Sequence, residues 1–294
     1  MNMLSDIQDM PASPAMVISP TADTLQSRLK PIGSVSRIFS DEILSGFRAW
    51  PIWTVMAWDD IRQRYRRSLL GPFWITLSMG IFILLLGVIY SRLFHSDIRF
   101  YIPYLSAGFT VWGFISQTTN ESSMAFSEGQ RIIKQIKLPY LTYVLRVVWR
   151  NFIVFLHTVV IFIPVAIIFR VTPNFATLLV VPGLLLVCVN VTWAATILAV
   201  LSTRYRDMPP IVATVVQIMM FASPIMWPVS SLGDDTMVAE LNPIYHLIQL
   251  VRAPMLGTVP ELLSWLIGGG MAVVGCSIAA ALLVSKARRI VFWL

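Results

Sequence analysis

The sequence predicts an all-α integral membrane protein with six transmembrane helices, and three observations lead to that prediction. Hydrophobic residues make up 56% of the 294 residues and charged residues only 13%, whereas a water-soluble domain carries about 25% charged residues. Six apolar stretches are long enough, or nearly so, to cross about 30 Å of hydrocarbon. Eighteen of the 22 Lys and Arg residues fall on one side of these stretches. Composition alone therefore excludes a water-soluble domain.

The chain divides into three predicted parts. Residues 1–40 are rich in prolines, serines and acids and predict a disordered or weakly ordered cytoplasmic arm. Residues 41–71 predict an amphipathic helix that lies in the membrane interface, with aromatic rings at the headgroup level and arginines toward anionic lipid. Its apolar residues recur at spacings of three and four, at Trp58, Ile61, Tyr65 and Leu69. Residues 72–294 predict the transmembrane domain.

Six spans follow in order. They are predicted near Phe73–Phe94, Ile102–Met124, Phe152–Phe169, Phe175–Leu201, Ile211–Val229 and Leu262–Ser285. The second becomes polar toward its end, and the third is expected to begin earlier, through Arg146 and Arg150. Because basic residues concentrate in cytoplasmic loops, both termini are expected in the cytoplasm. Only four basic residues then lie on the outer side: Arg92, Arg99, Arg170 and Arg252.

A short basic segment separates the second and third spans. The sequence Ser127–Tyr140 predicts one amphipathic helix that Pro139 ends. One face is apolar, and most of the rest is basic or polar; the two sets are Ile132, Ile133, Ile136 and Arg131, Lys134, Gln135, Lys137. A loop that only reverses the chain does not need this pattern. The segment is therefore expected to contact another molecule.

The last outer loop predicts helices interrupted by prolines. Pro224 and Pro228 would break the end of the fifth span, and Ile244–Val251 predicts a short helix between Pro243 and Pro254. Two interpretations stay open. The short helix could form the outer mouth of a pathway, since irregular backbone at membrane depth must be covered by protein or water. It could equally be an interfacial helix that caps the bundle.

Motifs for ATP binding and catalysis are not found in the sequence. No phosphate-binding G-x-x-x-x-G-K-[ST] occurs, and none of the four lysines follows a glycine. The histidines lack zinc-ligand spacing. The adjacent pairs Asp59–Asp60 and Asp234–Asp235 are predicted to be solvated surface, because neighbouring side chains on a helix diverge by about 100°. By itself the chain is therefore not expected to be an enzyme.

Two ionisable residues lie within or near the spans. Glu121 and His157 are each alone in their span, so a proton relay is a weak interpretation. Glu121 is instead expected to pair with Arg146 or Arg150, and His157 to be hydrogen-bonded inside the bundle. Aromatic and polar residues alternate in spans two and five. Such a stripe could line a sugar pathway or reflect packing of small residues between helices.

At this point the motifs resemble a known family. The segments RYRRSLLGPFW, EGQRIIKQIKLPY, STRYRDMPP, SPIMWP and LNPIYHLIQLVRAPMLG are similar, in the same order, to permease subunits of polysaccharide-exporting ABC transporters. The resemblance covers roughly Trp50 to Leu294. It implies a homodimer in the bacterial cytoplasmic membrane, with membrane lipids around it and one ATPase subunit docked under each copy. No internal repeat is visible, which agrees with a pathway enclosed by two copies.

The resemblance also implies roles for particular residues. Residues 127–139 would be the coupling helix seated on the ATPase, contributing Glu128, Arg131, Ile132, Ile133, Lys134, Ile136, Lys137 and Pro139. The interface helix would form a substrate gate, with Trp58, Ile61, Arg62, Tyr65, Arg66 and Arg67. Candidate channel-lining residues are Phe73, Trp74, Tyr90, Trp112, Gln117, Gln217, Phe221 and Trp227. This chain would bind no cofactor and no nucleic acid, while ATP and Mg would bind the partner subunit.

The implied function is ATP-driven export of a lipid-linked polysaccharide such as O-antigen, capsule or teichoic acid. The alternative within the same fold is a permease that exports a drug or a lipid, which would need a more apolar channel. A membrane-embedded transferase would need clustered carboxylates, for which Asp59–Asp60 is the available candidate. An ion-coupled carrier would depend on Glu121 and His157.

Overall fold

The structure is a computed structural model that describes residues 40–66, 73–233 and 237–294, and these residues form an all-helical bundle. Most of the predicted arm lies outside the described residues, as do Arg67, Leu69, Asp234 and Asp235. The description below concerns the compact unit that begins at Phe39.

Three described helical segments precede the first span. A π-helical turn covers Ser40–Leu44, followed by α1 (Ser45–Arg48) and α2 (Trp50–Tyr65). Pro51 is tolerated because the first turn of a helix has no internal partner for its N–H. α2 buries Ala57 and Ile61 against the helix Tyr140–Val159. The predicted apolar face is therefore partly wrong, because Trp58 lies exposed on the other side of α2.

Seven helices in the described part of the chain correspond to the six predicted spans. They are α3 (Phe73–Leu93), α4 (Ile98–Ser122), α7 (Tyr140–Val159), α8 (Phe162–Ile168), α9 (Val180–Arg204), α10 (Met208–Ala222) and α13 (Leu262–Trp293). A 3₁₀ turn at Phe175–Leu179 leads into α9. The third predicted span does begin earlier, at Tyr140. The sixth runs past its predicted end, to Trp293.

Four of the described helical stretches are long and apolar enough to cross a membrane. They are Thr76–Leu93, Tyr140–Ile168, Phe175–Arg204 and Leu262–Trp293. α10 has only 15 residues, and α4 carries many Tyr, Ser and Thr side chains that lower its mean hydropathy. The multi-pass membrane class is thus confirmed, whereas the count of six spans stays a prediction.

Small residues allow the closest helix packing. α9 and α13 pack most extensively, and a Cβ atom at Gly275 would collide with the ring of Trp193. Asn190 reinforces this pair, because its amide donates to the Gly268 carbonyl (3.0 Å) while its Oδ1 accepts from Trp193 Nε1 (2.9 Å). In the fourth and sixth spans, a polar side chain therefore serves helix packing, whereas the two interpretations of the stripes in spans two and five stay open.

The bundle has two ends that differ in chemistry. At one end the ends of α4, α9 and α13 meet the start of α7, and Arg204 stacks on the Trp293 ring. Most of the described Lys and Arg residues lie there, and we call it the basic end. At the far end lie the starts of α4 and α13 together with two further helices, α11 (Met237–Glu240) and α12 (Pro243–Met255).

α12 is a buried helix of the far end. Its side chains from Tyr245 to Ile248 and most of those from Leu250 to Met255 are buried among α4, α9 and α13. A Cβ atom at Gly183 would collide with the Leu250 carbonyl oxygen, so α9 and α12 touch through their backbones. The helix is thus an integral part of the bundle, and both interpretations of its role, outer mouth or cap, stay predictions. Pro254 also lies inside the last turn of α12 and does not end the helix before it.

Candidate functional site

A short helical tip projects from the basic end between α4 and α7. It contains α5 (Ala125–Glu128) and α6 (Gln130–Gln135), separated by Gly129. The predicted single helix over residues 127–139 is therefore wrong in its bounds. Ile136 is already extended (φ −128°, ψ 129°), three residues before Pro139. Pro139 disfavours helical backbone at Leu138, the residue before it. The break between the two helices lies at Gly129, where a side chain would collide with Tyr143.

The three isoleucines of the predicted apolar face differ in burial. Ile133 is buried against residues of α7 and α13, and Ile132 is half-buried beside it. Ile136 is 55% exposed. Ile133 is thus unavailable to a docking partner, contrary to the sequence-based expectation for all three isoleucines. The side chain keeps the tip attached to its own bundle.

The polar residues of the tip face outward. Glu128, Arg131, Lys134, Gln135 and Lys137 are all exposed, whereas Pro139 is half-buried. Among the described residues, none of these basic side chains forms a salt bridge. The tip therefore presents a free basic surface with one exposed isoleucine beside it.

Contacts at both ends hold the tip in place. The Tyr140 backbone N–H, the first of α7, donates to Glu42 Oε2 at 2.9 Å. A carboxylate at this position satisfies an unpaired N–H and complements the positive end of the helix dipole. On the other side, the Gln130 amide donates to the Leu294 carbonyl. The tip thus touches the end of α13, and the start of α7 that follows the tip contacts the segment before α2.

Charged side chains next to the tip join three helices in one network. Asp60 of α2 accepts from Arg146 Nε (2.7 Å) and Nη2, and from Arg150 Nη1 (2.9 Å), both on α7. Glu121 of α4 accepts from Arg150 Nη2 and from Arg64 of α2, each at 2.8 Å. Because α4 and α7 flank the tip, the network connects the tip's two supports to α2.

Other polar side chains extend this ionic network. Asn151 donates to Glu121 Oε2 at 2.8 Å, and the Gln117 amide donates to Oε1 at 3.3 Å. Burial raises the pKa of the neighbouring Tyr65 phenol, and the Arg64 guanidinium opposes that rise. Tyr65 therefore stays protonated at neutral pH. The expected pairing of Glu121 with Arg150 is confirmed, whereas Arg146 pairs with Asp60.

Asp60 was wrongly predicted to be solvated. Its side chain is only 13% exposed, while its neighbour Asp59 is exposed as expected. The signal was present in the sequence: Asp60 and Arg64 share the side of α2 that Ala57 and Ile61 bury, at spacings of three and four. Of the predicted gate residues, Ile61 and Tyr65 lie on this inner side, and Trp58, Arg62 and Arg66 are exposed.

The candidate channel residues lie in different environments. Phe73, Trp74, Gln217 and Phe221 are exposed on α3 and α10; Tyr90 and Trp227 are half-buried. Trp112 is 5% exposed within the core, and Gln117 belongs to the ionic network. Trp112 therefore packs in the core, where it also lines a small apolar cavity of about 190 Å³. His157 bonds the Ile153 carbonyl of its own helix (2.8 Å). Among the described residues, no contact joins His157 to Glu121, so the two do not form a proton relay there.

Comparison with known proteins supplies a family for this arrangement. The family model of ABC-2 type transporters matches residues 52–256, which include most of α2, the ionic network, the tip and α12.

The chain belongs to the ABC-2 transporter membrane family.

Two relatives of this chain are described as O-antigen export permeases. An O-antigen export system permease of Myxococcus xanthus is 23% identical over 198 residues, covering 66% of this chain and 76% of the relative. A protein of the same description from Klebsiella pneumoniae is 24% identical over 191 residues, covering 64% and 74%. A chain of the ABC-2 transporter family is the membrane subunit of a transporter.

Proposed function

We propose that this chain is the permease subunit of an ATP-driven exporter that moves a lipid-linked polysaccharide across the bacterial cytoplasmic membrane. The substrate class rests on the two relatives, which are described as O-antigen export permeases. The observation that carries the coupling to ATP is the free basic tip next to the ionic network. Six spans, with both termini and the basic end in the cytoplasm, complete the proposal.

The tip is the proposed contact with a separate ATPase subunit, which binds ATP and Mg. Arg131, Lys134 and Lys137 are exposed and unpaired among the described residues, so an acidic surface on the partner would complement them. Ile136 adds an apolar contact. Because Ile133 is anchored inside the bundle, a push on the tip must move the start of α7.

The ionic network is the proposed link from the tip to the rest of the permease. Arg150 joins Asp60 of α2 to Glu121 of α4, so α2, α4 and α7 shift as a unit. A ligand can only shift a conformational equilibrium by binding one state better than the other. The ATPase supplies that difference, and this network distributes it to the interface helix, the proposed gate for the lipid-linked glycan.

A second copy of the chain is the proposed other wall of the pathway. α3 and α10 present exposed residues that no described part of the same chain covers, among them Phe73, Trp74, Gln217 and Phe221. Aromatic faces with amide groups suit the apolar C–H faces and hydroxyls of sugar rings. We therefore place these helices at the dimer axis, with two ATPase subunits below and lipids around the outside.

The test purifies the permease gently from its native membrane together with any ATPase subunit that binds it. The double variant Lys134→Glu/Lys137→Glu should lose most co-purifying ATPase, because it reverses the charge of the tip. The matched control Arg288→Glu/Arg289→Glu changes the same charge on α13 at the same end. If both variants retain equal amounts of ATPase, the tip is not the contact with the ATPase.

The substrate is tested separately. Cells lacking this permease should fail to display their surface polysaccharide, and the reconstituted complex should hydrolyse ATP faster when lipid-linked glycan is added. Stimulation by a drug or a free lipid but not by the glycan would favour the alternative exporter with the same fold.

A further inference from the structure

A polar cavity lies at the far end of the bundle, away from the tip and the ionic network. Its volume is about 560 Å³, within the range of small-molecule sites. The start of α4, the loop of residues 170–174, α12 and the start of α13 enclose it. Neither the coupling of ATP hydrolysis nor the proposed pathway makes use of it.

The cavity is positively charged, although few basic residues lie on this side of the predicted spans. Four basic residues lie outside the basic side, and three of them, Arg99, Arg170 and Arg252, line this one cavity. None of the three forms a salt bridge within the described part of the chain. Glu261 is the carboxylate among the lining residues. The lining therefore carries a net charge of +2, which is the difference between those three arginines and that one carboxylate.

Arg252 is a buried cation held only by neutral groups. It is 1% exposed, and it donates from Nε to Gln249 Oε1 (3.2 Å) and from Nη1 to the Pro224 carbonyl (2.7 Å). Its Cζ lies 4.1 Å from the centre of the Tyr104 ring. Nη2 has no hydrogen-bond partner among the described residues. A buried charge without a counter-ion is costly. Because Nη2 is itself buried, an anion in the cavity would stabilise Arg252 through its charge, while the exposed Arg99 and Arg170 would supply the direct hydrogen bonds.

The rest of the lining suits a ligand with hydroxyl groups. Hydroxyl and amide side chains line the wall beside the arginines, at Thr172, Asn174, Gln249, Thr258 and Ser264. The rings of Phe100, Tyr104 and Tyr245 supply flat apolar surface. The loop is fixed in place, because the Asn174 amide donates to the Gly257 carbonyl at 2.7 Å and Gly257 has a positive φ of 82°. Guanidinium groups bind phosphate through paired N–H donors.

We propose that this cavity binds a phosphate ester of a polyol. Its phosphate would be the counter-ion that the three arginines do not have within the described part of the chain. Its hydroxyl groups would bind the amide side chains of the lining. Two sources share this chemistry, namely the headgroup of an anionic phospholipid and a phosphorylated sugar. The proposal goes beyond polysaccharide export, and it holds whichever way the chain is oriented in the membrane.

The first experiment measures binding to the full chain purified in a non-ionic detergent. Glycerol 3-phosphate, glucose 1-phosphate and unphosphorylated glucose are titrated by calorimetry, with inorganic phosphate as a fourth probe. The double variant Arg99→Gln/Arg170→Gln should weaken binding of the phosphorylated probes at least about tenfold, since each charge-assisted hydrogen bond contributes about that factor. Both side chains are exposed, so this variant should fold.

Two control variants make the test specific. Arg92→Gln removes the fourth basic residue of the same side, which does not line the cavity, and should leave binding unchanged. Glu261→Gln removes the lining carboxylate and should tighten binding several-fold. Absence of phosphate-dependent binding, equal binding of unphosphorylated glucose, or a normal affinity in Arg99→Gln/Arg170→Gln would each overturn the proposal.

A second measurement identifies the source. The chain is placed in nanodiscs of phosphatidylglycerol or of phosphatidylcholine, and lipids retained after release are counted by native mass spectrometry. Retention of phosphatidylglycerol that depends on Arg99 and Arg170 identifies a lipid headgroup. Tight binding of glucose 1-phosphate without such retention identifies a phosphorylated sugar. Neither measurement uses transport or an ATPase, so failure here is separate from failure of the proposed export function.

Discussion

The substitution Asp60→Asn tests the ionic network most directly. It keeps the size of the side chain but removes the charge that accepts three hydrogen bonds from Arg146 and Arg150. Arg150 is 7% exposed and retains Glu121, whereas Arg146 loses the carboxylate it contacts. Removing one partner of a buried ion pair costs about 3 to 5 kcal/mol. Because Glu121 still neutralises Arg150, we expect the lower end, about 3 kcal/mol.

That free energy holds α2 against α7. A loss of about 3 kcal/mol changes the equilibrium between attached and detached α2 by about a hundredfold. Amide hydrogen exchange, followed by mass spectrometry, should therefore accelerate in peptides from residues 50–66 by up to that factor, while peptides of α9 and α13 stay protected. In cells the same variant should assemble with its partner but export less polymer, because the tip no longer moves α2.

The matched control is Asp59→Asn. Asp59 is adjacent in sequence and equal in charge, but its side chain is exposed on the other side of α2. We expect exchange rates within about twofold of the parent protein, since exposed charges contribute under about 1 kcal/mol. If Asp60→Asn exchanges no faster than Asp59→Asn, the network does not hold α2 and the proposed path from tip to gate is wrong.

Five further substitutions, two of them matched controls, test helix packing, the anchoring of the tip and the proposed pathway. Gly183→Ala drives a Cβ atom into the Leu250 carbonyl oxygen and should lower the melting temperature in detergent, whereas Gly269→Ala, with nothing within 4 Å, should raise or maintain it. Ile133→Ala should destabilise the chain by about 2 to 4 kcal/mol in thermal unfolding, while Ile136→Ala should keep its melting temperature and bind less ATPase in pull-down. Phe221→Ala should slow appearance of polymer at the cell surface with dimer assembly unchanged by cross-linking, and normal export would place the pathway elsewhere.

Helix positions were largely predictable because hydropathy is a local property. α3 lies within one residue of its predicted span, and the breaks after α10 follow from Pro224 and Pro228. Helix ends near the tip were less predictable. The sequence indicated one helix to Pro139, but packing of Ile133 and the tight space at Gly129 divide it. Such effects depend on neighbours from α7, which periodicity does not include.

Burial of charged residues was the larger source of error. Asp59 and Asp60 are equivalent in the sequence, yet one is exposed and the other contacts arginines 86 and 90 residues away. The rotation of the helix about its axis decides the environment of each, and that rotation is fixed by tertiary packing.

The sequence by itself determined the membrane class, the approximate spans, the bias of basic residues to one side and the existence of a basic segment between the second and third spans. These follow from composition and local order along the chain, which act before any tertiary contact forms. Only the tertiary structure decided that Asp60, Arg146, Arg150 and Glu121 form one network and that Arg99, Arg170 and Arg252 share a cavity. The members of each group come from different helices or loops, and only the packed bundle brings these segments together.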